Sequence, residues 1–238
     1  MRGGPEGSFK LFRFAGIDVY LHWLWFLLAF YQISERKGAY FSLVWNVAEY
    51  VALFGIVLLH EFGHAFATRQ VGGTADTILL WPLGGVAYVA PPPRPGAELW
   101  SIAAGPLVNV VLLIPLTFGA VALGIPLSGN PATDWQELWR TIWWINLGLL
   151  IFNLLPIYPL DGGQILRSLL WFVIGPIRSL YVASVVGFVG VAGLAMYALY
   201  RKSIWLGILA FFTFTSCRQG WQRAQALAEM ARARGLRV

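Results

Sequence analysis

An apolar run from Val51 to Ala67 contains the pentapeptide His60-Glu61-Phe62-Gly63-His64. The run predicts a helix buried in a membrane. Because His60 and His64 are four residues apart, they lie on one face of that helix, about one turn from each other. Both imidazoles can reach one metal ion, with Glu61 beside them to handle protons. Ionisable side chains are costly in lipid, so the motif predicts a functional site.

The composition extends this interpretation to the whole chain. Hydrophobic residues make up 58% of the 238 residues and charged residues only 12%, whereas a soluble domain carries about 25% charge. We therefore predict an all-α membrane protein. The net charge of +6 does not indicate nucleic-acid binding, because the basic residues flank apolar segments as they do in membrane proteins. The single Cys217 excludes an internal disulfide.

Hydropathy predicts about six transmembrane helices. The predicted spans are, in chain order, 18–33, 45–69, 97–124, 138–155, 180–200 and 203–216. Between spans two and three, residues 74–90 are rich in Ile, Leu, Val and Tyr and are interrupted by Pro82 and two glycines, which predicts a β-hairpin that dips into the membrane. Residues 1–217 form the predicted integral membrane domain. Residues 218–238 form a basic amphipathic tail that we place on the membrane surface.

The distribution of positive charge predicts the orientation of these spans. Most of the 17 Lys and Arg residues lie on the side that holds both termini, although the basic tail supplies much of that excess. The excess of positive charge marks the cytoplasmic side. This orientation places His60 and His64 in the cytoplasmic half of span two and Asp161 at the cytoplasmic end of span four, at a similar depth.

A catalytic zinc site needs a third protein ligand, since such sites use three and leave one position for water. The chain offers His22, Glu49 and Asp161. An interfacial or packing role is favoured for His22, and a solvated or paired role for Glu49. Asp161 follows a segment in which prolines break the helix, and such breaks in membrane proteins often mark sites. We therefore predict one zinc ion held by His60, His64 and Asp161, with water as fourth ligand.

The predicted chemistry is hydrolysis. Zinc lowers the pKa of its bound water toward about 7, and Glu61 would accept the proton and pass it to the leaving amine. Asn109, an amide in an apolar span, has two interpretations. It steadies the developing oxyanion or the substrate backbone, or it forms an inter-helix hydrogen bond. A buried polar cluster without metal is the alternative for the motif as a whole.

Three motifs together resemble the site-2 protease family of intramembrane zinc metalloproteases. They are HEFGH at 60–64, AAGPLVN at 103–109 and NLLPIYPLDGG at 153–163. The PLGGVA segment at 82–87 and the opening FAGIDVYLHW at 14–23 are also similar to that family. We expect residues 1–217 to form a metalloprotease domain of a short form of this family, because the sequence shows neither the PDZ insertion of one branch nor the CBS domain of another.

The resemblance also implies roles and partners. It implies His60, His64 and Asp161 as zinc ligands, Glu61 as the catalytic glutamate and Asn109 in the neighbourhood of the active site. The implied reaction is cleavage of transmembrane segments of other proteins, so the partners are a transmembrane protein substrate and the lipid bilayer. No feature predicts the oligomeric state.

The sequence also permits other interpretations. Members of the family often have Arg after the DGG, where this chain has Gln164. An extended substrate can pair with the edge of the predicted hairpin around Ile78 to Val89, or the hairpin only plugs a cavity. From a different functional class, a non-proteolytic membrane scaffold or transport-like protein with a metal or ion site is the alternative.

Overall fold

The structure, a computed structural model, describes residues 5–36, 38–81, 84–129 and 131–233. The helices of this part of the chain are α1 (Leu24–Glu35), α2 (Leu43–Gln70), α3 (Pro95–Ala122), α4 (Asp134–Leu154), α5 (Asp161–Arg201) and α6 (Ile204–Ala233). The strands are β1 (Ser8–Phe14), β2 (Ile17–His22), β3 (Thr74–Trp81) and β4 (Gly84–Ala90). The chain divides into two compact units, Met1–Pro91 with Ala104–Ile151 and Pro92–Ala103 with Phe152–Val238.

A four-stranded sheet in the first unit corrects the all-α prediction. The strands lie in the order β1-β2-β3-β4. The neighbours β1–β2 and β3–β4 are antiparallel, and β2 pairs with β3 in parallel, Val19 opposite Ile78. A parallel pair needs a long crossover connection, which α1 and α2 supply. The segment predicted as a hairpin forms the antiparallel strands β3 and β4 of a larger sheet, and its insertion into the membrane stays a prediction.

Helix α2 packs on this sheet. The strands bury Ile17, Val19, Ile78 and Leu80, all with 0% exposure. These side chains form one core with residues of the helix, which are Val57, Phe62 and Ala65. Because Phe62 stands between His60 and His64 in sequence, the packing of the sheet fixes the rotation of the helix that carries both histidines.

The predicted first span is wrong as a single helix. Its first residues belong to β2, and the helix that follows, α1, has 12 residues. At 1.5 Å per residue such a helix is about 18 Å long, well short of a hydrocarbon core of about 30 Å. The burial of β2 explains the error, because Ile17, Val19 and Leu21 point to one face in a two-residue alternation that a hydropathy average cannot separate from a short span.

Three helices of the described residues are long and apolar enough to cross a membrane: α2, α3 and α5. Helices α2 and α3 are candidate spans at the places of predicted spans two and three, and α5 contains the segment predicted as span five. Helices α4 and α6 occupy the places of predicted spans four and six. The six-span count stays a prediction.

The second unit is built on α5 and α6. Helix α5 changes direction at Gly175, whose φ is 80°, immediately before Pro176. Helix α6 continues without a break from the predicted span six into the tail, as far as Ala233. Ala224 and Ala228 of the tail are buried with 0% and 4% exposure, so part of the tail's apolar face packs against the protein. The domain boundary at 217 stays a prediction.

Candidate metal centre

Two histidines on α2 face each other in the first unit. His60 and His64 are 4% and 7% exposed. Their Nε2 atoms are 3.1 Å apart, and their rings are almost perpendicular, at 84°. The spacing of one helical turn thus places the two rings on one face of α2, as predicted, and each ring directs a nitrogen to the same point.

This pair fits zinc. Two imidazole nitrogens bound to one tetrahedral zinc at about 2.0–2.1 Å are about 3.3 Å apart, close to the 3.1 Å between the two Nε2 atoms. An imidazole nitrogen must carry a lone pair to bind metal. The two facing nitrogens therefore have the separation of a zinc-ligand pair, which is also a hydrogen-bond distance.

Helix α3 passes very close to the two histidines. A Cβ atom at Gly105 would clash with Nε2 of His64 and would lie 2.8 Å from Nε2 of His60. On α2, a Cβ atom at Gly63 would lie 2.6 Å from the carbonyl oxygen of Ala104. Only glycine permits an approach of this kind. Gly105 of the AAGPLVN segment thus lies directly beside the two facing nitrogens.

Asn109 lies one helical turn beyond Gly105 and contacts the other side of the His60 ring. Its Oδ1 is 2.6 Å from Nδ1 of His60. Its Nδ2 donates to Oδ1 of Asn146 on α4, at 2.8 Å. Asn109 and Asn146 are both completely buried. The inter-helix hydrogen bond considered for Asn109 is therefore present, and a role at the oxyanion stays a prediction.

Asp161 is the first residue of α5, in the second unit. The break that precedes it is held by α5 and α6. Cys217 donates from Sγ to the carbonyl oxygen of Tyr158, at 2.7 Å. Gln164 donates from Nε2 to the carbonyl oxygen of Pro159, at 2.8 Å. The segment before Asp161 is therefore fixed by side chains of its own unit.

The three predicted ligands are His60 and His64 in the first unit and Asp161 in the second, and apart from these residues no group of three His, Cys, Asp or Glu side chains that could hold a metal ion occurs within the described ranges. The two other candidates have different surroundings. His22 accepts a hydrogen bond at Nδ1 from the backbone of Leu24. Glu49, 3% exposed, accepts from Arg36 at 3.0 Å and from Tyr40 at 2.7 Å. The paired role predicted for Glu49 is confirmed.

Sequence reasoning missed Asn146 and the part played by Gly105. Asn146 lies in the apolar stretch WWINLGLL of α4, where a polar amide with 0% exposure needs a partner. The polar residue in this apolar stretch could therefore have been recognised from the sequence as a candidate for a buried hydrogen bond. No feature of the sequence indicated that its partner would be Asn109.

Comparisons with known proteins agree with these motifs. A family model described as Peptidase family M50 matches residues 48–126 and 119–197. Among solved structures, the chain is similar to the Site-2 Protease from Methanocaldococcus jannaschii. That likeness has a TM-score of 0.65 and 32% identity, and it covers 90% of this chain and 95% of that one.

Two curated relatives are zinc metalloproteases by name. Zinc metalloprotease MJ0392 of Methanocaldococcus jannaschii is 33% identical over 214 residues, which are 89% of this chain and 60% of that protein. Putative zinc metalloprotease Rip3 of Mycobacterium tuberculosis is 31% identical over 235 residues, with 89% and 58% covered. The chain thus spans only about three fifths of these relatives.

Proposed function

The chain belongs to peptidase family M50, the site-2 protease family, and from this membership we propose that it is a membrane-embedded zinc endopeptidase. Its three long apolar helices support a membrane location. The proposed substrates are other membrane proteins, cut within or near a transmembrane segment. The names of the relatives support zinc chemistry, and the donor set of this chain supports zinc as the metal.

The residues have distinct proposed roles. His60, His64 and Asp161 would hold one zinc ion. When bound there, zinc supplies a Lewis acid for the scissile carbonyl and lowers the pKa of a water molecule toward about 7. Glu61, 5% exposed and adjacent to His60, would act as the general base that accepts a proton from the attacking water and donates one to the leaving amine. Asn109 belongs to the same neighbourhood.

The single observation that carries the proposal is the pair of facing Nε2 atoms, 3.1 Å apart in a buried site. Two imidazoles in an apolar interior are costly unless they bind something. A glycine on the neighbouring helix leaves space at these nitrogens instead of filling it. The separation of the two nitrogens matches that of two ligands of one tetrahedral zinc ion.

The proposal is tested with Glu61→Gln. The purified variant should retain zinc, because the substitution removes none of the three proposed ligands. It should lose cleavage of a reconstituted single-span substrate by about 100-fold or more, as expected for removal of a general base. Glu229→Gln is the control, since Glu229 is exposed on α6, and it should cleave normally. Retained cleavage by Glu61→Gln would contradict the proposed base.

The second candidate function is a non-proteolytic membrane scaffold or transport-like protein. It is favoured only by the buried polar cluster itself, which can exist without catalysis. Metal analysis of the purified protein separates the two functions. One zinc per folded chain supports the peptidase, whereas a folded protein without zinc supports the scaffold.

We further propose that β4 receives the substrate. A helical substrate must unwind before its carbonyls are accessible, and an extended chain can then add to a sheet edge by main-chain hydrogen bonds. In the described sheet β4 pairs only with β3, so its other side offers such an edge. Strand β1 forms the opposite edge, and α2 packs against β3 and β4.

A proline scan over residues 86–89 tests this proposal. Proline removes one N–H per variant, and successive residues of a strand direct their N–H groups to opposite sides. Cleavage should fall at alternate positions with zinc content unchanged. If only the variants that fail to fold lose cleavage, the hairpin does not bind the substrate. That result would instead support the alternative in which the hairpin only plugs a cavity.

A further inference from the structure

Asn146 is connected to the metal centre through Asn109, and this connection is a part of the site that the proposed mechanism does not use. Asn146 donates from Nδ2 to the backbone carbonyl oxygen of Asn109, at 2.9 Å. It accepts at Oδ1 from Nδ2 of Asn109, at 2.8 Å. The two amides therefore form a closed, two-bond pair in which both residues are completely buried.

The direction of every bond in this pair follows from one atom. A backbone carbonyl can only accept a hydrogen bond, so the group of Asn146 that faces it is the NH2. The other end of Asn146 is then a carbonyl oxygen, which can only accept, so Asn109 presents its own NH2 to it. That leaves Oδ1 of Asn109 directed at His60, at 2.6 Å from Nδ1.

The protonation of His60 follows in the same way. Since Oδ1 of Asn109 can only accept, Nδ1 of His60 carries the hydrogen and donates it. A neutral imidazole has one N–H, so Nε2 of His60 keeps its lone pair and directs it toward Nε2 of His64. This is the tautomer that a metal-binding histidine needs.

We infer that Asn146 is a positioning residue for the metal centre, which acts through Asn109 to hold His60 in the tautomer that binds metal at Nε2. The inference rests on the proposed function, because it deepens the role of the same site. Without Asn146, the amide of Asn109 is free to rotate by half a turn. Its NH2 would then face His60, Nδ1 would accept, and Nε2 would carry the hydrogen and be lost as a ligand.

The experiment measures zinc affinity of the full-length chain in detergent, by competition with a chelator, so that it does not depend on cleavage. Asn146→Leu, which has a similar volume, should bind zinc about 10–100-fold more weakly, the usual cost of losing a residue that orients a ligand. Asn46→Leu is the matched control. Asn46 is a buried asparagine on α2 with an Oδ1 that forms no hydrogen bond, and its replacement should leave zinc affinity unchanged.

Asn109→Asp distinguishes positioning from simple packing. Both oxygens of a carboxylate accept, so in this variant the acceptor for His60 is present whichever way the side chain turns. In the Asn109→Asp background, Asn146→Leu should therefore have little further effect on zinc affinity. Thermal stability, measured in parallel, should fall on replacement of Asn146 in both backgrounds, because the contact between α3 and α4 is lost in both.

The outcomes separate the two levels of the proposal. Wild-type protein that folds but binds no zinc contradicts the proposed function. Wild-type protein that binds zinc, with Asn146→Leu binding it equally well, contradicts the inference and leaves the function standing. An equal loss of affinity in both backgrounds also contradicts it, since Asn146 would then act independently of the orientation of Asn109.

Discussion

A methyl group added at Gly105 would contact both facing nitrogens of the metal centre. The added Cβ would lie 2.8 Å from Nε2 of His60 and closer still to Nε2 of His64. Both rings are buried and fixed to a helix that packs on the sheet, so they cannot move aside without cost. Gly105 is thus required by the closeness of α3 to the ligands rather than by its own backbone conformation.

Gly105→Ala should therefore weaken zinc binding by about 10-fold or more and reduce cleavage in proportion, as expected when ligands are displaced. Gly148→Ala is the matched control, because a Cβ at Gly148 on α4 would meet nothing within 4 Å. Zinc content and cleavage are measured for both. Full zinc affinity in Gly105→Ala would show that the two helices are not as close as described.

The proposed ligand residues could be identified from the sequence, and the contacts that support them could not. The four-residue spacing fixes His60 and His64 on one helical face whatever surrounds them. By contrast, the bond between Asn109 and Asn146 joins residues 37 positions apart. Such a contact depends on how two helices pack, which the local sequence does not determine.

At the scale of the element, the segment before Asp161 is seated against glycines of α5. A Cβ at Gly190 would lie 2.7 Å from Cδ1 of Ile157, and a Cβ at Gly187 would lie 3.2 Å from the backbone nitrogen of Tyr158. The small residues at these positions of α5 leave room for a close contact. They contact, more specifically, the broken segment that leads to the proposed ligand.

Gly190→Ala should thus disturb that segment. Replacing glycine by alanine at an exposed helix position stabilises the folded protein by about 0.8–1.0 kcal/mol. Overpacking a filled contact destabilises it by about 1–3 kcal/mol. The net effect should therefore be a loss of stability together with weaker zinc binding. Gly193→Ala is the control on the same helix, since a Cβ there meets nothing within 4 Å. Thermal unfolding and zinc titration of both variants check this, and a Gly190→Ala protein as stable as Gly193→Ala would contradict it.

The strands show where sequence interpretation reached its limit at this scale. The hairpin of β3 and β4 was predicted, because β-branched residues and turn residues mark it. Strand β2 was assigned to a span, although the alternation of Ile17, Val19 and Leu21 was a signal for a strand. The apolar residues that follow in α1 concealed that alternation within one long hydrophobic run.

At the scale of the whole molecule, the proposed orientation places both termini in the cytoplasm. The chain has a single native cysteine, Cys217, which is completely buried, so introduced cysteines can be labelled selectively. In intact cells an impermeant thiol reagent should label Ser128→Cys, in the loop between α3 and α4. It should leave Glu6→Cys and Glu229→Cys unlabelled until the membrane is permeabilised.

The reverse pattern of labelling would contradict the orientation, and labelling of only one terminus in intact cells would contradict an even number of spans.

The membrane class of the chain follows from composition alone, because 58% hydrophobic residues exceed what a soluble surface tolerates. The number of spans does not follow as directly. It depends on short or polar helices such as α1 and α4, for which hydropathy and length disagree.

The central claim is that one zinc ion is bound by His60, His64 and Asp161. Anomalous scattering from crystals, measured on both sides of the zinc absorption edge, tests it most directly. We predict a single peak per chain at about 2.0–2.2 Å from Nε2 of His60, Nε2 of His64 and a carboxylate oxygen of Asp161. A folded chain without a peak there, or with a peak that Asp161 does not approach, would contradict the account.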